Sequence, residues 1–528
     1  MLKHFPVAAP RPQQVEAMNF ATDAIAKGFK HVVLALPTGC GKSFCGVAAC
    51  NWAASSDAKI EGEFEPGGYY LVHQKLLQDQ IEHDFPRFLP GTNHGCSLKT
   101  SSEYPCSHHI DCGIGGSLKK RRRCDYATCS YKVQKGLFLN SPIALTNYSY
   151  LLTERGYVGQ LANRKVLVLD EAHGLERLIL RFVDLTISEA LRREWAPTIR
   201  IPVFPSLDAF VDWTSTVYLP AISSYHDALD AASDEGDDGA TKEAAKLLQH
   251  ISKTDRAIKA IQSNPHDWIY WSEEDADGLP TYIARPLEAG PFSDLLLDAG
   301  AVRIYMSAYV GSKRSFCRQL GIPRESVAWL ELGSPFPIEN RRVYAAPVGS
   351  MSRANVDASL PAMIRILTKV LEKHRDEKGL VHCGSYKLGR ATYEALRSTF
   401  GTRLLFPQKA ADRETMFDTH RRSDAPTVLL SPSMTEGFSF DDDLARWQVI
   451  MKCPYPSLGD KQVRAKLDRD REWYQLQAVS TIVQAAGRIV RNDTDHGETY
   501  IFDKDFERLY GGNEHLFPAW FREALVWK

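Results

Sequence analysis

Residues 32–43, VVLALPTGCGKS, carry a short apolar run straight into a glycine turn and on to a lysine and a serine. That order leaves few folds open. A brief apolar run ending in turn residues reads as a strand buried on both faces, and such strands belong to parallel sheets covered by helices. Gly39 and Gly41 free the backbone for a tight turn whose N–H groups face an anion, and a helix beginning at the turn adds partial positive charge. Lys42 is then placed to reach β- and γ-phosphates and Ser43 to ligate magnesium, with Thr38, Gly39 and Gly41 in the cradle. The full pattern puts a glycine six residues before the lysine, where this chain has Leu36.

Two further segments fit the same chemistry. RKVLVLD (164–170) is an apolar strand ending in Asp170 and Glu171, where one carboxylate faces magnesium and the other orients an attacking water. In QAAGRIVR, Gln484, Arg488 and Arg491 are spaced to share one face of a helix, from which two guanidinium groups would address a γ-phosphate. Alone, each has an ordinary reading: a glycine turn, a strand ending in solvated acids, a basic helix face. Their joint occurrence in this order favours the chemical one.

The remaining pattern predicts an α/β fold. RPQQVEAMNFATDAIAKG reads as a helix ending at Gly28, GGYYLVHQ as a strand followed by a helix through LLQDQIEHDF, and RIYMSAY (303–309) as a strand. After SPFPIENRR (334–342), GLVHCGS, TVLLSPS, WQVIMKC and TYIFD are strands of a second α/β unit, and alternation with helices argues for parallel sheets. Between them, residues 181–290 read as a helical insertion: Ala244, Leu247, Leu248, Ile251, Ile258 and Ile261 recur at helical spacing, and Phe210, Val211, Val217, Ile222 and Tyr225 suggest another amphipathic segment. SDEGDDG (233–239) is a solvated acidic loop.

With 528 residues, room exists for about three or four domains. The net charge of −1 excludes a basic footprint over the whole chain, so any nucleic-acid contact must use local patches. No run approaches 18 apolar residues, so no membrane span is expected. MLKHFPVAAPRPQQ has no apolar signal core, and an intracellular protein is expected.

Five of the 11 cysteines (Cys96, Cys106, Cys112, Cys124, Cys129) fall within 34 residues. In an intracellular chain such a group points to metal rather than disulfides. Four thiolates suit a [4Fe–4S] cluster or tetrahedral Zn2+, and His108 and His109 keep zinc open. Cys40, Cys45 and Cys50 read as helix-packing thiols, and Cys317, Cys383 and Cys453 as structural. Between His94 and Lys135 the chain carries eight Lys or Arg and three Asp or Glu, densest at LKKRRRC. Lys119, Lys120, Arg121, Arg122 and Arg123 are candidates for phosphate contact, with Tyr126 as a base-stacking candidate. Tyr104 and Tyr131 are interleaved with them, and for any single tyrosine packing is the simpler role.

Taken together, these segments resemble the XPD/DinG-like iron–sulfur helicases of superfamily 2. RPQQ resembles the family's adenine-reading segment, with Gln14 its candidate; LPTGCGKS resembles motif I, YLVHQKLLQDQ motif Ia, DEAH (170–173) motif II, MSAYVG motif III, LVHCGSY motif IV, SPSMTEGFSF motif V and QAAGRIVR motif VI. Tyr309 stands where motif III usually has Thr, and Ser439 where motif V usually has Asp. The resemblance favours [4Fe–4S] over Zn2+ and takes Cys106, Cys112, Cys124 and Cys129 as ligands, with Cys96 a bystander. It implies two RecA-like parallel-sheet motor domains, with a small cysteine-rich metal-cluster insertion and a helical arch insertion in the first. The boundaries that follow are 1–92, 141–180 and 291–336 for the first motor domain, 93–140 for the cluster, 181–290 for the arch and 337–528 for the second motor domain.

The implied activity is ATP- and Mg2+-dependent 5′→3′ movement on single-stranded DNA with unwinding of forked DNA, by a monomer. Lys42, Asp170, Glu171, Gln484, Arg488 and Arg491 would be catalytic, and Gln14, Thr38, Gly39, Gly41, Ser43, Glu436 and Gly437 would join Lys42 and Asp170 around the nucleotide. His173 is expected to couple the site to motif III rather than perform chemistry. Alternatives on the same motor parts are a translocase that clears nucleoprotein or R-loops with little unwinding, and action on RNA or RNA–DNA hybrids. A different class, a non-catalytic nucleic-acid clamp with a zinc knuckle, draws only on the departures at Leu36, Tyr309 and Ser439.

Overall fold

A computed structural model describes residues 1–73, 75–88, 97–106, 128–158, 161–235, 237–275, 277–432, 440, 442–492 and 494–528. Among the described residues nine strands precede residue 332: β1 (His31–Ala35), β2 (Glu65–Val72), β3 (Ile143–Asn147), β4 (Arg164–Asp170), β5 (Leu185–Ser188), β6 (Trp268–Glu274), β7 (Pro280–Pro286), β8 (Gly300–Ser307) and β9 (Val327–Glu331). Seven follow: β10 (Val343–Gly349), β11 (Gly379–His382), β12 (Leu404–Leu405), β13 (Val428–Ser431), β14 (Trp447–Ile450), β15 (Glu498–Asp503) and β16 (Leu525–Trp527).

All but β5, β6 and β7 form two parallel sheets, ordered β3-β2-β4-β8-β1-β9 and β12-β13-β11-β14-β15-β10-β16. The strand period of two builds a core on each face. In the first sheet Val32, Leu34, Tyr70, Val168 and Ile304 pack on one side, and Val33, Ala35, Tyr69, Leu167 and Tyr305 on the other. This is the expected α/β architecture. Cys40, Cys45, Cys50, Cys317, Cys383 and Cys453 are all buried, as packing thiols should be.

The segment read as a helical insertion holds more than helices. The long helices Leu219–Glu235 and Asp238–Ser263 pack on an antiparallel sheet ordered β5-β7-β6. Phe210, Ile222, Ala244, Leu247, Ile258 and Ile261 are buried there, whereas Leu248 and Val217 face outward. The β6–β7 hairpin closes through Asp277-Gly278, with Gly278 at φ +71° and the Leu279 amide donating to Asp275 at 2.8 Å. That Asp-Gly pair is an ordinary hairpin signal; the helical periodicity around it masked it.

A buried arginine ties the cysteine-bearing stretch to the first sheet. Arg164, at the start of β4, donates to the Ser141 carbonyl at 2.7 Å and the Leu139 carbonyl at 2.6 Å, capping the helix Ser130–Asn140. Its guanidinium stacks 5.0 Å from the Tyr69 ring. The same helix is held by the buried Lys135–Glu154 pair at 3.0 Å and by the Tyr131 and Tyr150 hydroxyls at 2.8 Å. Replacing Arg164 with methionine keeps the length but strips charged donors from buried carbonyls. A loss of about 2–4 kcal/mol in urea denaturation is expected; an unchanged midpoint would contradict the role given to Arg164.

Candidate active site

The chemistry-bearing segments meet at one edge of the first sheet. In its parallel register Ala35 pairs with Ser307 and Asp170 with Met306, so the phosphate loop after β1, the acidic pair ending β4 and motif III ending β8 emerge side by side. Carboxyl ends of adjacent parallel strands are where α/β sheets bind ligands.

The loop departs from the full pattern without cost. Gly39 and Gly41 take the positive φ values, +84° and +74°, and Gly41 begins the helix Lys42–Ala54. Leu36 is not among the positive-φ residues; it is buried, its amide donates to Ser307 at 2.9 Å, and its carbonyl accepts from Lys42 Nζ at 3.4 Å. Glycine is needed where the chain turns, and Leu36, one residue past β1, is still hydrogen-bonded to β8. Gln14 is buried beside the loop: its amide nitrogen donates to the Gly41 carbonyl at 3.3 Å and its oxygen accepts from the Arg11 amide at 2.8 Å.

The acids are held by tyrosines that no motif announced. Tyr70 on β2 donates to Asp170 Oδ2 at 3.0 Å and is hydrogen-bonded to Ser43, bringing the two magnesium-ligand candidates onto one hydroxyl. Tyr148 donates to the Asp170 carbonyl at 2.7 Å. Glu171 has φ +53°, rare for a residue with a side chain. Burial, and then the charge of Glu171, raise the proton affinity of Asp170. Burial works against Glu171 as well, yet the hydrogen bond from His173 and the charges of Lys42 and Arg488 outweigh it and keep it ionised. A divalent cation at Asp170 would relieve the penalty on that carboxylate, so Ser43 and Asp170 fit a magnesium site.

His173 lies as expected against motif III. Its Nδ1 is 3.1 Å from Ser307 Oγ, and Ser307 Oγ donates to Glu171 Oε2 at 3.3 Å.

The helix Arg471–Ala486 of the second sheet's unit faces this edge, and here one expectation needs correction. Gln484, Arg488 and Arg491 do not share a helix. The helix ends at Ala486, Gly487 is its C-cap, and Arg488 and Arg491 lie in the turn beyond. Glycine is a poor helix former, and here it also allows a close approach: a Cβ on Gly487 would stand 2.9 Å from Thr38 Oγ1, and one on Gly39 would meet Phe336 and the Arg491 carbonyl. The turn is pinned by buried Asp495, which accepts from the Arg491 amide at 2.9 Å and from Arg446 at 2.6 Å. NDTDHG reads as an ordinary polar turn and gives no sign of this. Arg488 is near enough to Glu171 to depress its proton affinity. Gln484 keeps a buried amide nitrogen without a hydrogen-bond partner among the described residues, in a cleft shared with His173 and Gly174. A buried donor without a partner calls for an acceptor, which a bound ligand would supply.

Of the expected metal ligands, Cys106 and Cys129 are described; Cys112 and Cys124 lie outside the described residues, as do Lys119, Lys120, Arg121, Arg122, Arg123, Tyr126, Glu436, Gly437 and Ser439. Among the described residues no group of three or more ligating side chains is assembled for a metal. Two observations bring the described pair of segments together: Ser130 Oγ donates to the Pro105 carbonyl at 2.8 Å, and the Tyr104 and Tyr131 rings lie 5.5 Å apart. Tyr131 is buried, in keeping with packing.

Comparison with known proteins agrees with this geometry. A profile of the type III restriction enzyme res subunit matches residues 8–190, and a helicase C-terminal domain profile matches residues 367–524. The chain is 21% identical over 430 residues to the ATP-dependent DNA helicase YoaA of Haemophilus influenzae, covering 72% of this chain and 66% of that protein. It is 27% identical over 299 residues to the ATP-dependent DNA helicase DinG of Photobacterium profundum, covering 52% of this chain and 43% of that protein. The chain thus spans just under two thirds of one relative and less than half of the other. A solved XPD helicase superposes with a TM-score of 0.61 at 16% identity, over 99% of this chain and all of that one. Xpd4 from S. tokodaii gives 0.58 at 14% identity, over 98% of this chain and 100% of that one. In its sheet order, its motifs and these relatives, the chain is similar to the XPD/DinG-like helicases of superfamily 2.

Proposed function

We propose that the chain is an ATP-driven DNA helicase that moves 5′→3′ on a single strand and opens forked duplexes. The observation that carries this reading is the facing of Lys42, Asp170 and Glu171 by Gln484 and Arg488 across two parallel-sheet units. Lys42 would hold the transferred phosphate, Glu171 would orient the attacking water, and Arg488 would meet the charge that develops on the γ-phosphate. Gln484 would donate its unpaired amide to the phosphate or the water. Thr38, Gly39 and Gly41 would cradle the phosphates, Gln14 would take the adenine side, and Arg491 would back Arg488. Magnesium, held by Ser43 and Asp170, would neutralise phosphate charge. Hydrolysis needs residues from both units, so closing and opening of the cleft follows the chemical cycle. On this reading 1–92, 141–180 and 291–336 form the first motor domain and 337–528 the second, with 93–140 and 181–290 as insertions.

The single strand is assigned to the large cavity, about 1580 Å³, at the carboxyl ends of β11, β13 and β14. Arg177, Arg353, Lys387, Arg413, Lys452 and Arg464 line it, a basic track suited to phosphates. The stacked rings of Tyr455 and Tyr474, 5.3 Å apart, offer a flat surface for bases. Lys119, Lys120, Arg121, Arg122 and Arg123 would add phosphate contacts.

Cys106, Cys112, Cys124 and Cys129 would hold the [4Fe–4S] cluster, whose part would be to order the insertion that meets the duplex. Cys129→Ser is expected to remove iron and the brown colour and to weaken unwinding more than ATP turnover. Unchanged iron content would remove Cys129 from the ligand set, and zinc in place of iron would select the alternative metal.

The direct test of the motor reading is ATP turnover with and without single-stranded DNA. Stimulation of about tenfold or more by DNA is expected, because the cleft closes on a bound strand. Absence of turnover under both conditions would leave a nucleic-acid clamp as the better account.

A further inference from the structure

Two side chains of the first unit cross to the second and fasten the helix that carries Gln484. Glu176, in the helix Leu175–Phe182 directly after the DEAH turn, is buried between lobes. Its Oε1 accepts from Lys466 Nζ at 2.5 Å and its Oε2 from Trp473 Nε1 at 2.7 Å. Lys466 also donates to the Leu287 carbonyl at 2.9 Å and lies 4.7 Å from the centre of the Trp473 ring. Tyr309, the departure in motif III, is the other. Its ring is buried in the second unit's core with Leu476, Val479, Ile482 and Val483, and its hydroxyl donates to the Leu516 carbonyl. Its backbone amide donates to Ser307 Oγ at 3.4 Å, the same hydroxyl that touches Glu171 and His173.

Both anchors therefore act on one element. Trp473 is in the first turn of Arg471–Ala486, the residues around Tyr309 are in its middle, and Gln484 is in its last turn, with Arg488 just beyond. A buried ion pair with every partner supplied is poor evidence for stability, but it fixes register between packed elements. We propose that Glu176 and Tyr309 are positioning residues: they set the Arg471–Ala486 helix against the first unit so that Gln484 and Arg488 stand opposite Glu171. A threonine at 309 could not reach the second core. The inference rests on the ATPase reading of the cleft.

The test compares wild type with Tyr309→Phe, which removes one hydroxyl, and with Glu176→Gln/Lys466→Met, which removes both buried charges together. ATP KM and kcat are measured on single-stranded DNA, with circular dichroism to confirm folding. Positioning predicts that kcat falls about tenfold in each while KM stays within about twofold, since misplacing a catalytic group by a fraction of an ångström slows chemistry without removing the nucleotide's contacts. In Lys466→Met alone, kcat should fall at least as far as in the double variant, because Glu176 is left without its charge partner. Folded variants with wild-type kcat would overturn the inference, as would KM rising in step with an unchanged kcat. Absence of turnover in wild type would overturn the ATPase reading and this inference with it; wild-type turnover with unchanged variants would overturn the inference alone.

Discussion

Replacement of Arg488 by alanine is expected to lower ATP turnover about 10³-fold or more while nucleotide binding stays within about threefold of wild type. The argument is electrostatic. Phosphoryl transfer leaves little covalent work for a protein, so rate comes from charges already aimed where charge develops. Arg488 is on the opposite unit from the phosphate loop, in a turn fixed by Asp495 and by the contact of Gly487 with Thr38. Its field already reaches Glu171. A guanidinium so placed would report cleft closure to the chemistry, and it would matter far more in the transition state than in the ground state. Arg488→Lys should recover little, because a single ammonium does not reproduce a planar fork of donors. Single-turnover hydrolysis with tight nucleotide binding checks this; loss of binding with an unchanged single-turnover rate would move Arg488 out of the catalytic set.

The second large effect is expected at Lys42. Lys42→Ala should reduce turnover about 10³-fold or more, and here binding should weaken too, because the ammonium is on the same side as the bound phosphates. Lys42 already lies over the loop, donating to the Leu36 carbonyl, and its charge acts on both Asp170 and Glu171. Removing it unbalances two buried carboxylates as well as the nucleotide. Steady-state hydrolysis and equilibrium binding of a fluorescent ATP analogue separate the two losses. Retained hydrolysis would refute the placement of the site.

The contrast between Lys42 and Arg488 shows what the sequence makes legible. The loop at Lys42 is local: strand, glycine turn and helix follow one another in eight to ten residues, and each glycine that the turn demands is visible as a letter. Arg488 was found for a partly wrong reason. Its spacing from Gln484 and Arg491 suits a helix, but the helix stops at Ala486, and Gly487 beyond it lies against Thr38, a residue some 450 positions earlier. Contacts of that range leave no periodic trace. Tyr70, Tyr148 and Asp495 were hidden for the same reason: each reads as an ordinary strand, helix or turn residue until the fold puts it on a carboxylate, a backbone carbonyl or an amide. Tyr309 is the reverse case. It was visible as a departure from the family's threonine, and only the packing of its ring in the second core gives the departure a physical meaning. The β6–β7 hairpin was legible through Asp277-Gly278, and was missed because flanking helical periodicity outweighed one short turn.

The central claim, that the cleft drives 5′→3′ movement and unwinding, is tested most directly by strand displacement. DNA duplexes carrying either a 5′ or a 3′ single-stranded tail are incubated with ATP and the chain, with Lys42→Ala as the control. Unwinding of the 5′-tailed duplex alone, absent in Lys42→Ala, is the predicted result. Unwinding from the 3′ tail, or displacement that persists without Lys42, would contradict it.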